Sequence, residues 1–143
     1  MILLYLMKVG IKGGVILLLL VGVWLIYQNA SQSGSQALWE GYETRKMIIE
    51  DTEYTLVVAD TPERWQQGLM YVRKPVSYDG MIFIFPEATM QSFWNKNTFE
   101  DLTIYWMHGA KVLGKSELPS IERSGEYTVN SPVPADTVVE IIK

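Results

Sequence analysis

Hydrophobic and polar positions divide the chain into an apolar front and a patterned remainder. From Gly13 to Tyr27 no residue is charged, and Val15 to Val21 is an unbroken aliphatic run. Such a run predicts a membrane-directed helix rather than a soluble element. Lys8 and Lys12 precede it and no basic residue follows until Arg45, so the positive-inside rule puts the N-terminus in the cytoplasm and the rest of the chain outside. Fifteen uncharged residues span about 22 Å as a helix, short of a ~30 Å hydrocarbon core unless the stem of Lys12 is counted. The segment is therefore read as an uncleaved single-pass anchor over residues 1–28, with a cleavable signal as the other reading. Met7-Lys8 would make a more usual start than Met1, which predicts initiation at Met7.

Asn29 to Gln36 is small, polar and without periodicity. It reads as a tether, so that residues 29–45 link the anchor to a domain over 46–143.

Within that domain the period is that of strands. Met47 to Ile49 and Tyr54 to Ala59 flank a polar turn and predict a β-hairpin. Asp60-Thr61-Pro62-Glu63 changes the grammar: Thr61 is an N-cap, Pro62 suits the first helical position, Glu63 favours the positive helix end, and Gly68 supplies a stop. A short helix is expected over Pro62 to Gln67. Met81 to Phe85 has no polar residue and reads as a strand buried on both faces, ended by Pro86. Leu102, Ile104 and Trp106 alternate with Thr103, Tyr105 and Met107. His108-Gly109 turns the chain back into Ala110 to Leu113, and Tyr127 to Val129 and Val138 to Ile142 complete the strands. The expected fold is mostly β with one short helix, either barrel-like or two packed sheets, preceded by a single transmembrane helix.

Charge narrows the function classes. Without Lys8 and Lys12, the twelve basic residues become ten against sixteen acidic ones, a net charge of −6 outside the membrane segment. A polyanion partner needs a basic stripe, and Arg45-Lys46 and Arg73-Lys74 are short and separated by acidic neighbours, so nucleic acid is not an expected partner. There is no Cys, which removes disulfides, thiol nucleophiles and thiolate metal sites.

Candidate chemistry centres on Gln91-Ser92-Phe93-Trp94-Asn95-Lys96-Asn97-Thr98, where two aromatics, a cation and two amides crowd together. With Arg64 on the short helix, Trp94, Lys96 and Asn97 form the candidate ligand-binding group, a stacking ring and two cations suited to a sugar, a carboxylate or a peptide terminus. The structural alternative has Trp94 filling the core and Arg64 and Asn97 satisfying internal polar groups. His108 is the only imidazole and falls in a turn, no Gly-x-Ser-x-Gly elbow is present, and one His with scattered carboxylates offers no metal pattern. Glu50-Asp51-Glu53 and Glu100-Asp101 read as solvated turn charges rather than paired catalytic carboxylates. No catalytic residue, metal or cofactor is assigned.

Glu63-Arg64 with Gly68-Leu69-Met70, then Asp79-Gly80-Met81 with Phe83 and Phe85, then Phe93-Trp94-Asn95-Lys96-Asn97-Thr98 resemble, in order and spacing, the family called domain of unknown function 192, over about Met47 to Ile142. The resemblance implies a compact mostly-β fold and no particular activity. Two positions depart from the family pattern: Asn95 stands where Met is usual, and Thr103 where an Asp follows the Leu. Together these readings make a membrane-tethered, extracytoplasmic and non-enzymatic binding or accessory module, with a hydrolase of cell-envelope material as the alternative.

Overall fold

The computed structural model describes residues 21–23, 39 and 42–143. Residues 21–23 are helical, and the rest of the expected anchor and residues 29–38, 40 and 41 of the expected tether lie outside the described residues, while Thr44 and Arg45 at the tether's end already belong to the first strand. Among the described residues no helix is long and apolar enough to cross a membrane. The chain divides into two compact units, Met1–Ala37 and Leu38–Lys143, and the second carries the domain.

Eight strands and two short helices build it: β1 (Thr44–Ile49), β2 (Thr52–Ala59), α1 (Pro62–Gln67), β3 (Gly80–Thr89), β4 (Ser92–Trp94), β5 (Leu102–His108), β6 (Lys111–Leu118), α2 (Ile121–Ser124), β7 (Thr128–Asn130) and β8 (Ala135–Ile142). Six form one sheet in the order β1-β2-β3-β8-β5-β6, and β4 and β7 form a separate antiparallel ribbon. Of the two expected architectures the two-sheet one is present, because β1 and β6 are edges that do not pair and close a barrel. The second helix, α2, was not anticipated. Four residues give too short a periodic signal to be read from sequence.

The hairpin forms around a two-residue turn in which Glu50 and Asp51 both have positive φ, 49° and 65°. That geometry suits the right-handed twist of the flanking strands. α1 runs over the expected residues: Thr61 Oγ1 accepts from the Arg64 amide, and Gly68 closes the helix at φ 46° with its N–H on the Arg64 carbonyl. Among the described strands only β2 and β3 pair in parallel, and such a pair requires the crossover that α1 and the following loop provide.

Asp79-Gly80 locks the start of β3. The Asp79 carboxylate accepts from the Thr55 amide at 2.7 Å, and its carbonyl accepts from the Ile142 amide. A Cβ on Gly80 would lie 1.8 Å from the Glu140 carbonyl oxygen, so only glycine admits this approach of β3 to β8. Pro86 does not end β3, contrary to expectation. The strand continues to Thr89, and the ladder with β8 breaks after Ile84 and resumes at Thr89 opposite Ala135. Proline, lacking a donor, is tolerated in the unpaired stretch.

β5 keeps its alternation but is buried on both faces. Leu102, Ile104 and Trp106 join Val57, Met81, Phe83 and Val138 on one face, while Tyr105 and Met107 join Ile49, Leu56, Val58, Ile82 and Val139 on the other. An interior strand buried on both faces loses the polar half of its pattern. Trp65, Phe93 and Val129 pack onto the first face, so α1 and the β4–β7 ribbon sit over it.

Candidate functional site

The ribbon sorts its side chains by the two-residue period of a strand. Phe93 turns inward, its ring edge-to-face with Phe83 at 4.8 Å and Trp106 at 5.7 Å between centroids. Trp94 turns outward and is 56% exposed. It therefore does not fill the core, as the structural alternative required. The Lys96 ammonium lies 4.8 Å from the Trp94 ring centroid, close enough for the cation to be attracted by the ring's negative face.

Asn95, between them, is fully buried. Its Nδ2 donates to the carbonyls of Pro119 and Gly125, each at 2.8 Å, and approaches Ser124 Oγ at 3.0 Å. Its Oδ1 accepts from the Tyr127 amide at 2.8 Å. The Asn95 N–H donates to the Tyr127 carbonyl, its own carbonyl accepts from Thr98, and the Thr98 carbonyl accepts from Ile121. One side chain thus fastens the whole 119–127 segment to the ribbon. Buried amides persist only when satisfied, and this one is.

Asn97 sits at φ 53°, where asparagine is tolerated better than most residues. Its Nδ2 donates to Tyr71 Oη at 2.7 Å, and its carbonyl accepts from the Tyr71 amide at 2.8 Å. Arg64 makes its contacts with other residues, pairing with Asp60 at 2.9 Å and placing its guanidinium 4.5 Å from the Tyr42 ring centroid. The structure thus joins Trp94 with Lys96 and ties Asn97 to Tyr71, while the contacts of Arg64 belong to a different group.

Sequence reasoning missed a cleft of about 390 Å³ at the end of the large sheet where β5 begins and β6 and β8 finish. Its walls carry Asp101, Glu117, Arg123, Tyr127 and Lys143 over Leu102, Leu118 and Pro119. Asp101 is no free turn charge, as had been expected. Its Oδ1 accepts from the Ser120 amide at 2.8 Å, and its Oδ2 pairs with Arg123. The Ser120 N–H, followed by Arg123, holds its carboxyl below the usual carboxylate range. Glu100 is likewise engaged, accepting from the Lys74 amide at 2.9 Å. Glu117 pairs with Lys143. The only sequence sign of this cleft was the Glu100-Asp101 pair, because its other residues come from three separate segments.

Thr103 stands directly across from Glu117 in the β5–β6 register, and its hydroxyl donates a long bond of 3.4 Å to that carboxylate. An Asp at this position would face Glu117 as a like charge, which is destabilising across a strand pair. The departure at residue 103 thus matches its neighbour.

His108 is exposed at its turn, with Nδ1 2.8 Å from Asp136 Oδ2. Asp136 also accepts from the Gly109 amide, the main cause of its lowered pKa. Glu140 is a different case. It lies buried in β8 beside Met81 and Ile104, and among the described residues its Oε2 finds no partner, as is true of Trp39 Nε1 and Tyr78 Oη. Burial raises its carboxyl pKa to about 8.

Two solved structures share the fold. One is a protein of unknown function from Novosphingobium aromaticivorans, 22% identical with a TM-score of 0.57 over 71% of this chain and 73% of that one. The other, from Sinorhizobium meliloti, carries the provisional description of transcription regulator and is 25% identical with a TM-score of 0.55 over 71% of this chain and 79% of that one. No curated protein matches the chain. The profile of DUF192, Uncharacterized ACR, matches residues 45–143, and the chain belongs to that family.

Proposed function

We propose that the chain is a membrane-tethered, extracytoplasmic, non-enzymatic binding or accessory module that presents Trp94 and Lys96 to a sugar or peptide ligand. The observation that carries this reading is the 56% exposure of Trp94 on a ribbon whose next residue, Asn95, is fully buried. An exposed indole gains little from folding, while a ring fixed by a rigid neighbour offers a stacking surface with small entropic loss on binding. Lys96 over the ring adds a donor for hydroxyl, carbonyl or carboxylate groups. Asn97, the next residue along, holds the exposed Tyr71 through its side-chain amide. Arg64, held by Asp60 and Tyr42, is not part of this surface.

The tether rests on the sequence: Lys8 and Lys12 ahead of an uncharged fifteen-residue run set the domain outside the cytoplasm. Protease accessibility of the domain in intact cells, against cells made permeable, tests this orientation. The binding reading is tested by thermal shift on the full chain with cell-wall sugars and short peptides, since a ligand bound only by the native state raises its stability. Uptake by the parent and its loss in Trp94→Ala, with the melting temperature of the free protein retained, is the expected result. Turnover of envelope material by the parent would favour the hydrolase instead.

A further inference from the structure

We infer that the outer face of the β4–β7 ribbon takes a disaccharide that carries a single carboxylate. The inference rests on the binding role proposed above and narrows its ligand from sugars and peptides to an acidic sugar.

The ribbon sorts its residues onto two faces. Phe93 and Val129 pack onto the core, so by the two-residue period Ser92 and Trp94 on β4 share the opposite face with Thr128 and Asn130 on β7. All four are exposed. Ser92 stands across from Asn130, and Trp94 across from Thr128. Residues two apart on a strand are separated by roughly 7 Å and opposed ones by about 5 Å, so the indole is bordered by two hydroxyls and an amide within the footprint of a disaccharide. A sugar presents a C–H face with a rim of hydroxyls, and this surface matches both. A peptide held by its side chains needs apolar pockets, whereas the neighbours of the indole on this face are polar.

The cation selects an acid. Among the described residues every lysine and arginine except Lys74, Lys96 and Lys111 is paired with a carboxylate, and neither strand of the ribbon carries Asp or Glu. Lys96 is exposed, and its ammonium rests on the Trp94 ring, a contact that is weak at an exposed site. A neutral sugar stacking there displaces the ammonium into solvent. A lone carboxylate draws the ammonium away and leaves the ring face unfilled. A sugar bearing a carboxylate does both at once, its C–H face replacing the ammonium on the ring and its carboxylate receiving the ammonium. One cation matches one carboxylate, and the domain's excess of acidic residues repels a more highly charged glycan.

The ring is held in place before any ligand arrives. Phe93 on one side of it is wedged against Phe83 and Trp106, and Asn95 on the other is buried and fastened to Pro119, Gly125 and Tyr127. Little freedom is left to lose on binding.

Calorimetric titration of the full chain with N-acetylglucosaminyl-N-acetylmuramic acid and with glucuronosyl-N-acetylglucosamine, each also as its carboxyl methyl ester, tests this inference. At least one acid is expected to bind, and its ester to bind at least tenfold more weakly. Lys96→Met is expected to bring the affinity for the acid down to that for the ester, and Trp94→Ala to weaken both at least tenfold. Equal affinities of the parent for acid and ester overturn the inference while leaving sugar binding at this surface standing. Binding of short peptides but of neither acid also overturns it and leaves the proposed function standing, whereas binding of no sugar and no peptide removes both. Because the comparison of acid with ester uses the unaltered protein, a folding defect in a variant does not decide the result.

Discussion

Asn95 and Tyr127 bind each other reciprocally, the backbone N–H of Asn95 reaching the Tyr127 carbonyl at 3.0 Å and the Tyr127 N–H reaching Asn95 Oδ1 at 2.8 Å. The pair fixes the 119–127 segment against the ribbon and makes one rigid body of the exposed Trp94 and the wall of the cleft. A substitution that looks like a minor departure from the family is thus what holds two surfaces in register.

Asn95→Met tests this arrangement. The change restores the residue usual in the family, yet it removes every side-chain bond at a fully buried position and leaves the Pro119 and Gly125 carbonyls and the Tyr127 amide without those partners. Each orphaned buried group costs about 1–3 kcal/mol. We expect a loss of roughly 2–4 kcal/mol in denaturant unfolding. Stability equal to the parent would show that the segment does not need the amide.

Two tryptophans should respond in opposite ways. Trp94 is 56% exposed and Trp106 fully buried, with its Nε1 donating to Ser116 Oγ at 2.9 Å. Trp106→Ala should cost ~3–5 kcal/mol by opening a cavity, whereas Trp94→Ala should cost no more than about 1 kcal/mol, the scale of an exposed cation–π contact. Thermal unfolding of the two variants side by side reads the difference, and similar losses would place Trp94 in the core.

Gly80→Ala should be among the most damaging small changes. The added methyl would lie 1.8 Å from the Glu140 carbonyl oxygen, a backbone atom that cannot swing aside. Parting β3 from β8 at this point breaks the centre of the large sheet. A loss of more than about 4 kcal/mol, or failure to fold, is expected, and a variant with the parent's melting temperature would contradict the close approach.

Glu140 should make stability fall as pH rises. Its carboxyl titrates near 4.5 in the unfolded chain and at about 8 in the folded one. Below pH 4.5 both states are protonated and no difference arises. Between the two values the native state holds a proton that the unfolded state has released, so stability drops by about 1.4 kcal/mol per pH unit and then levels off. Glu140→Gln should remove this slope and be the more stable protein at pH 8, as followed by urea unfolding across pH. An unchanged slope would mean that the carboxyl is ionised in the fold.

Local signals carried much of the structure. The bounds of α1 follow from Thr61, Pro62 and Gly68, because caps and φ restrictions act over one turn and need no distant partner. The β1–β2 hairpin and the alternation of β5 were legible for the same reason. Pro86 misled, since whether a missing donor ends a strand depends on the partner's ladder, and β8 had already parted from β3 after Ile84.

The sequence by itself determined the family, the mostly-β class and the capped helix, all of which rest on contacts between near neighbours or on linked motifs. Only the tertiary structure decided that Trp94 faces solvent while Asn95 is buried, since a three-residue strand has no period long enough to reveal its inner face. It alone assembled the cleft, because Asp101, Glu117, Arg123 and Lys143 come from the start of β5, the end of β6, α2 and the end of β8. Their meeting follows from a sheet order that places β8 between β3 and β5. Long-range pairing of this kind leaves no mark on any one segment, and it is what brings scattered charges together.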